Sequence, residues 1–176
     1  MAQQYDIPSV INHYNAYYGA AEELIGQSGE VELPDFEAIT DTIDGGGILG
    51  EFEDPVTGHF ESMEVTVPFA VLYKSQFDLI NTTEPPMLTF RGSEQVINKS
   101  TGNTDYVPVR VIIKGKAKTN KLGKLSRGKK GEPEITMEVL YIKVEVDGET
   151  MVELDKLNFR FIVNGVDLME KVRSQC

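Results

Sequence analysis

Few side chains in this chain are of the types that carry out catalysis or bind metals. The 176 residues include two histidines, His13 and His59, and one cysteine, Cys176. Neither histidine has a second metal-ligand residue at helical or turn spacing, and Cys176 lies at the C-terminus, where chains fray. The sequence therefore predicts no metal site, no catalytic residue and no cofactor. A single cysteine excludes a disulfide within the chain, which suits a reducing cytoplasm.

Two further groups of residues lack essential parts of the sites that they resemble. The three glycines at 45–47 are not followed by the Lys and Ser/Thr of a phosphate-binding loop, so we expect a flexible or sharply bent loop there. Glu51, Glu53 and Asp54 could supply paired carboxylates for acid-base chemistry. In so acidic a part of the chain they indicate a solvated face instead.

Charge is distributed unevenly along the sequence. The first Lys or Arg is Lys74, and 14 of the 28 acidic residues precede it. Residues 114–130 then contain eight of the 17 Lys and Arg residues and no acid. With a net charge of −11 the chain repels nucleic acid overall, while this basic segment can contact an acidic surface on another copy of the chain.

Two alternatives for the basic segment stay open at this stage. It could be a solvated, flexible loop, or it could bind nucleic acid, although no aromatic residue lies among its lysines to stack on a base. If it joins copies of the chain, the contact candidates are Lys116, Lys118, Lys121, Lys124, Arg127, Lys129 and Lys130.

The elements that position these charges are β-strands, and residues 134–167 predict a long hairpin. Asp147-Gly148 is the turn signal, flanked by β-branched and aromatic alternation. A three-residue loop, 146–148, places apolar residues opposite one another, because partners across two strands share a face. It predicts the pairs Ile142 with Val152, Leu140 with Leu154, Met137 with Leu157, Ile135 with Phe159, Glu138 with Lys156, and Glu134 with Arg160.

In that register the apolar face of the hairpin changes side halfway along. Leu140, Ile142, Val152 and Leu154 lie on one face near the turn, and the apolar residues farther away lie on the opposite face. Either the strand pair turns a corner of a barrel, or one face packs against a neighbouring molecule. In the second case these four residues are the candidates for contact between subunits.

The rest of the chain predicts a mainly β protein with one domain at 29–176, preceded by an N-terminal arm at 1–28. In the arm, Ile11, Tyr14 and Tyr18 have helical spacing, which predicts a partial helix or a segment ordered by partners. Strands are predicted from alternation around 63–69 and 107–116, and one internal helix from apolar spacing over 69–80. Asp167 is placed to cap a short C-terminal helix.

The segment VEVDGETMVELDKLNFRFIVNGVDLMEKVR, residues 144–173, closely resembles the C-terminal end of the major tail tube proteins of contractile-tailed bacteriophages. The resemblance extends upstream to about Gly29, through the Val31-Glu32-Leu33-Pro34 segment, the glycines at 45–47 and the two alternating strands, in the order that this family shows. It implies a β-barrel or β-sandwich of antiparallel strands with one flanking α-helix and a long C-terminal hairpin.

The same resemblance implies a structural role and no enzymatic activity. Subunits of this kind form hexameric rings that stack into a tube inside a contractile sheath, in a virion tail or in a phage-tail-like bacteriocin. The implied partners are further copies of the chain, the sheath protein, a baseplate or tube initiator and a tape measure protein, with no membrane anchor. DNA passes through the lumen without specific binding, and the acids that could face it are Glu64, Glu138 and Glu153. From the residues alone, the alternative function is a small nucleic-acid-binding β-barrel that acts through residues 114–130.

Overall fold

The computed structural model describes residues 6–24 and 26–176, and within them most of the regular secondary structure is β-strand. The two helices are short, α1 Lys74–Asp78 and α2 Glu170–Gln175. The strands are β1 Asp6–Tyr18, β2 Glu22–Glu23, β3 Ala38–Ile43, β4 Phe52–Phe60, β5 Glu64–Pro68, β6 Met87–Asn98, β7 Thr104–Lys121, β8 Glu134–Val146, β9 Glu149–Asp155, β10 Arg160–Val163 and β11 Val166–Asp167. The expectation of a mainly β, antiparallel fold is confirmed.

Nine of the described strands form one antiparallel sheet, and β3 and β4 form a separate two-stranded sheet. The strand order of the large sheet is β11-β10-β9-β8-β7-β6-β1-β2. β5 pairs with the first part of β8, and β9 pairs with the last part. The long strands β7 and β8 therefore lie in the middle of the sheet. The segment 122–133 connects them at one end, and the β6–β7 and β8–β9 turns lie at the other end.

A single hydrophobic core lies against this sheet. The alternation predicted for residues 63–69 and 107–116 is present, since Val65, Val67 and Ile113 are completely buried while Lys114 and Lys116 are exposed. Burial of a residue of this size stabilises the fold by about 1.5–3 kcal/mol relative to exposure. The alternating pattern thus fixes which face of each strand the core occupies.

The turn of the C-terminal hairpin lies where we expected it, but its predicted register is wrong. Asp147 and Gly148 have φ values of 51° and 78°, so the loop is a two-residue type I′ turn and not a three-residue loop. A β-bulge at Met151 then shifts the pairing, so that Ile142 lies opposite Leu154 and Val144 opposite Val152. The extra residue is in β9 and not in the turn.

The predicted apolar pairs farther from the turn, Met137 with Leu157 and Ile135 with Phe159, are also wrong, because β9 ends at Asp155. Beyond that point the partner of β8 is β5, and Met137 and Ile135 lie opposite Val65 and Val67. Leu157 and Phe159 are exposed instead of buried. Of the two predicted charge pairs, Glu138 and Lys156 do form an ion pair of 3.7 Å, whereas Glu134 pairs with Lys121 and not with Arg160.

A second bulge explains the apparent change of face. Leu140 is the extra residue between the pairs Lys114–Tyr141 and Gly115–Val139. This extra residue reverses the alternation of faces along β8, so that Ile142 is buried on the same side as Val139. The two apolar stretches of β8 therefore belong to one core.

The N-terminal stretch is a strand, so the expectation of a partial helix there is wrong for the described residues. β1 pairs with β6 from Asp6–Asn98 to Tyr18–Leu88, with bulges at Ser9 and Asn12. Its Tyr and Ile residues have high β propensity, and pairing with β6 overrides their helical spacing. Residues 1–5 and Ile25 of the predicted arm lie outside the described residues.

The predicted helix over 69–80 is much shorter in the structure. Phe69 is buried in an extended segment, and only residues 74–78 are helical. Tyr73 and Phe77 are about half exposed, so they are surface residues and not core residues. The predicted C-terminal helix is present as α2, and the Asp167 carboxylate accepts a hydrogen bond of 3.0 Å from the Met169 N–H just before it.

Candidate assembly surfaces

Residues 122–133, which connect β7 to β8, form a structured loop that we call the basic loop. Its base is held by backbone hydrogen bonds from Gly131 N–H to Ala70 O (2.9 Å) and from Lys124 N–H to Gly131 O (2.7 Å). Gly123 has a φ of 74°, and a Cβ there would lie 2.2 Å from Gly131 O, so only glycine fits. The loop is therefore anchored at its base, while residues 121–130 are exposed, so the solvated-loop alternative stays open.

The buried Gln76 of α1 supports the same end of the sheet. Its Nε2 donates to Asn120 Oδ1 at 2.8 Å, directly before the loop begins. Beside this contact, Val71, Leu72, Tyr73 and Phe77 leave two fifths to half of their surface exposed. Apolar surface thus borders the cationic loop.

Of the seven predicted contact cations, three lie on β7 and four lie on the basic loop. Lys118 and Lys121 form ion pairs within the subunit, with Glu64 and Glu134. The hydrogen bond to Glu64 raises the pKa of Lys118. Lys116 is exposed on β7, opposite Glu138.

The other four cations are Lys124, Arg127, Lys129 and Lys130, and all are exposed on the basic loop. In the part of the chain that the structure describes, none of them forms an ion pair. Leu122 and Leu125 lie among them, and Leu125 is 96% exposed. These four are the better candidates for contact with another molecule.

The opposite end of β7 and β8 carries a groove of about 780 Å³ that we call the acidic groove. It lies where β1 and β7 begin and β6 and β8 end, together with the turns that follow β6 and β8. Its described lining contains no Lys or Arg. The lining acids are Asp6, Glu94, Asp105, Asp147 and Glu149, and the aliphatic residues among them are Val96, Val107, Val146 and Met151.

A second acidic surface is the hairpin of β3 and β4. Asp41 lies opposite Asp54 in this pair, and like charges placed opposite one another are unfavourable in an isolated hairpin. Its tip contains the glycines at 45–47 and the fully exposed Leu49. The expected glycine loop is thus the tip of a projecting hairpin.

The outer backbone edge of β1 lacks a strand partner over most of its length. β2 covers only Tyr17 and Tyr18, and in the described residues no strand pairs with the outer side of residues 6–15. Ile7, Val10 and Ile11 along this edge are half exposed or more. Unpaired edges of this kind pair readily with strands of other chains.

The predicted lumen acids all have partners inside the subunit. Glu64 pairs with Lys118. Glu138 accepts a 2.6 Å hydrogen bond from Ser62 Oγ. Glu153 lies 3.8 Å from Arg160 and accepts a 3.4 Å hydrogen bond from Tyr141 Oη. Whether these acids face a lumen stays a prediction.

The four predicted subunit-contact residues of the hairpin are not brought together on one surface. Ile142 and Leu154 are each 2% exposed and lie in the core of the subunit. Leu140, at the bulge, and Val152 are partly buried. Only these last two can contact a neighbour without unpacking the core, and their role in such a contact stays a prediction.

Sequence reasoning missed the groove and the β1 edge. The groove is assembled from the ends of several strands, so no local pattern marks it. The β-branched residues Ile7, Val10 and Ile11 are a signal for the edge strand. Pro8 and the two bulges interrupt their alternation and obscure this signal.

The described residues contain neither a group of three or more His, Cys, Asp and Glu side chains that could hold a metal ion nor a helix long and apolar enough to cross a membrane. The fold and surfaces define an antiparallel β protein whose distinctive features are charged and apolar interaction surfaces. A family model described as phage tail tube protein FII matches residues 8–176. The chain belongs to this family of structural proteins of virion tails or tail-like particles, and it is not an enzyme.

A sequence relative supports this assignment. The tail tube protein of Escherichia phage P2 is 35% identical over 86 residues, which span 49% of this chain and 48% of that protein. The match thus covers about half the length of that relative. The resemblance inferred from the C-terminal segment is confirmed.

The fold also matches two cryo-EM structures of an extracellular contractile injection system. One, the sheath/tube terminator in the extended state, aligns with a TM-score of 0.55 and 16% identity over 79% of this chain and 97% of the other. The second, the sheath-tube complex in the extended state, aligns with a TM-score of 0.53 and 16% identity over 78% of this chain and 91% of the other. At this identity the similarity concerns the fold.

Proposed function

We propose that this chain assembles into hexameric rings that stack to form the inner tube of a contractile tail. Membership of the tail tube family supports a tube subunit, and the similarity of the fold to parts of a contractile injection system supports a tube within a sheath. The sheath protein, a baseplate or tube initiator and a tape measure protein are the further partners of this proposal. The tube would conduct DNA in a phage or puncture a membrane in a tail-like particle.

The main observation in support of the proposed ring is the unpaired edge of β1. Strand pairing with a neighbouring subunit would satisfy its free N–H and C=O groups and bury Ile7, Val10 and Ile11. Pro8 and the bulges at Ser9 and Asn12 make the edge a poor template for unspecific pairing. Leu140 and Val152 are candidate residues for a further contact between subunits.

Stacking would use the basic loop, because its four free cations and its leucines project from one end of the subunit. A contact between two different surfaces of the same chain does not close on itself, so it propagates as a filament. In such a tube Glu64, Glu138 and Glu153 would line the lumen, although their internal ion pairs reduce the charge that they present. The net charge of −11 would keep DNA from binding to the tube.

The ring contact is tested by placing charge on the β1 edge. The double substitution Ile7→Lys and Ile11→Lys should leave a folded monomer and abolish rings, since buried unpaired charge opposes association. Negative-stain electron microscopy and sedimentation velocity of the concentrated protein measure this. Both sites are exposed, so we expect the free energy of unfolding to change by no more than about 0.5 kcal/mol per site.

The matched control is Leu49→Lys with Phe52→Lys, which alters two exposed apolar residues of the separate β3–β4 hairpin, away from both edges of the large sheet. This variant should form rings like the unaltered chain. Rings of normal size from the Ile7/Ile11 variant would refute the proposed edge contact. Failure of the unaltered chain to form any ring or tube would contradict the function itself.

A further inference from the structure

The basic loop and the acidic groove lie at opposite ends of the same pair of strands. β7 begins at Thr104 in the groove lining and ends at Lys121, where the basic loop starts. β8 runs back from Glu134 at the loop to Val146 in the groove lining. Because a strand of 18 residues is on the order of 50 Å long, the two surfaces are separated by most of the length of the subunit.

We propose that the acidic groove receives the basic loop of a second copy of this chain, in a head-to-tail contact between successive rings. The inference rests on the proposed function and deepens it, since it identifies the acidic surface that the loop contacts. The partner is thus the same chain, translated along the direction of β7 and β8.

Charge complementarity is the first argument. The groove lining holds five acids and no described base, and the loop holds Lys124, Arg127, Lys129 and Lys130 with a single acid, Glu132. The loop cations have no described ion-pair partner within their own subunit. Opposite charges on two surfaces steer association and fix its register.

Shape and apolar surface give the second argument. The loop projects, and its leucines at 122 and 125 are 55% and 96% exposed. The groove is concave, with Val96, Val107 and Met151 in its lining. A concave site with an aliphatic lining and charged groups around it fits a projecting cationic loop with exposed leucines.

The acidic hairpin of β3 and β4 is the competing receptor. It carries similar charge, but it projects from the subunit, as the full exposure of Leu49 at its tip shows. Two projecting surfaces bury little area against each other. The groove therefore fits the loop better than the hairpin does.

The test uses three charge-reversed variants of the full chain. A loop variant carries Lys124→Glu, Arg127→Glu and Lys129→Glu. A groove variant carries Glu94→Lys, Asp105→Lys and Glu149→Lys. A hairpin variant, with Asp44→Lys, Glu51→Lys and Glu53→Lys, is the control with the same change of charge as the groove variant.

We expect the loop and groove variants to form rings that do not stack, with the concentration needed for tubes raised at least tenfold. An equimolar mixture of the two should form tubes again, because each reversed surface meets a complementary one on the other variant. The hairpin variant should form tubes alone and should not restore stacking of the loop variant. Tube length is measured by negative-stain electron microscopy, and folding by circular dichroism.

Tubes of normal length from the groove variant alone would overturn the inference. Restoration of the loop variant by the hairpin variant, and not by the groove variant, would also overturn it and would identify the hairpin as the receptor. Either result leaves the tube function standing, because the unaltered chain forms tubes in the same experiment. Absence of any assembly by the unaltered chain would contradict the inference together with the proposed function.

Discussion

Tyr141 is the residue whose acid-base behaviour the fold changes most clearly. Burial and the neighbouring Glu153 raise the pKa of Tyr141 to about 12. Since an unfolded Tyr loses its proton near pH 10, the folded state holds this proton more tightly, and stability falls as pH rises from about 10 to about 12.

We therefore expect the free energy of unfolding of the unaltered chain to fall more steeply over this window than that of Tyr141→Phe, measured by denaturant titration at several pH values. Glu153→Gln should lower the pKa of Tyr141 without returning it to 10, because burial is the larger cause. Equal slopes for Tyr141→Phe and the unaltered chain would show that Tyr141 is not perturbed.

At the scale of the element, the bulge in β8 makes two neighbouring apolar residues unequal. Ile142 is 2% exposed and packs in the core, whereas Leu140 is the extra residue of the bulge and is partly exposed. Ile142→Ala should lower the free energy of unfolding by about 2–5 kcal/mol, the range for buried aliphatic residues. Leu140→Asp should lower it by less and should block assembly if Leu140 contacts a neighbouring subunit.

Thermal unfolding and sedimentation of the two variants separate these effects. Ile142→Ala serves as the control for a residue whose role is confined to the core. An equal loss of stability in both variants would place Leu140 in the core as well. Normal tubes from a stable Leu140→Asp variant would remove Leu140 from the subunit contact.

The strands and turns also show which parts of the fold can be predicted from the sequence. The turns Asp147-Gly148 and Asn164-Gly165 require positive φ at both residues, and this local demand marks them. The alternation in β5 and β7 is equally local. The bulges at Leu140 and Met151 carry no distinctive composition, so the hairpin register could not be read from the residues.

The remaining elements could not be predicted because they depend on pairing between strands that are far apart in the sequence. The spacing of Ile11, Tyr14 and Tyr18 fits a helix, and only β6, about 80 positions further along the chain, makes this stretch a strand. The basic loop was found because its charges are contiguous. The acidic groove was not, because its acids come from separate strands and turns.

At the scale of the whole molecule, the proposed ring and the proposed stack depend on different forces. As proposed, ring contacts would use strand pairing and apolar burial, and ring stacking would use the loop and groove charges. Raising the ionic strength from about 0.05 M to about 1 M shortens the Debye length to about 3 Å and screens exposed charge pairs. We expect tubes to separate into rings before rings separate into monomers, as followed by sedimentation velocity.

A matched experiment with a non-screening osmolyte such as sucrose should leave tubes intact. Tubes that lengthen steadily with added salt would contradict the charge-based stack. Rings that dissociate before the tubes shorten would contradict the assignment of apolar contacts to the ring.

The position of β7 and β8 between the two end surfaces has a mechanical consequence. A load that enters at the groove and leaves at the loop runs parallel to these strands, along their covalent backbone. The hydrogen bonds that join the two strands lie perpendicular to that load, so they resist it together, in shear, and not one after another. If rings stack through these two surfaces as proposed, this strand pair would resist compression along the direction in which the rings are stacked.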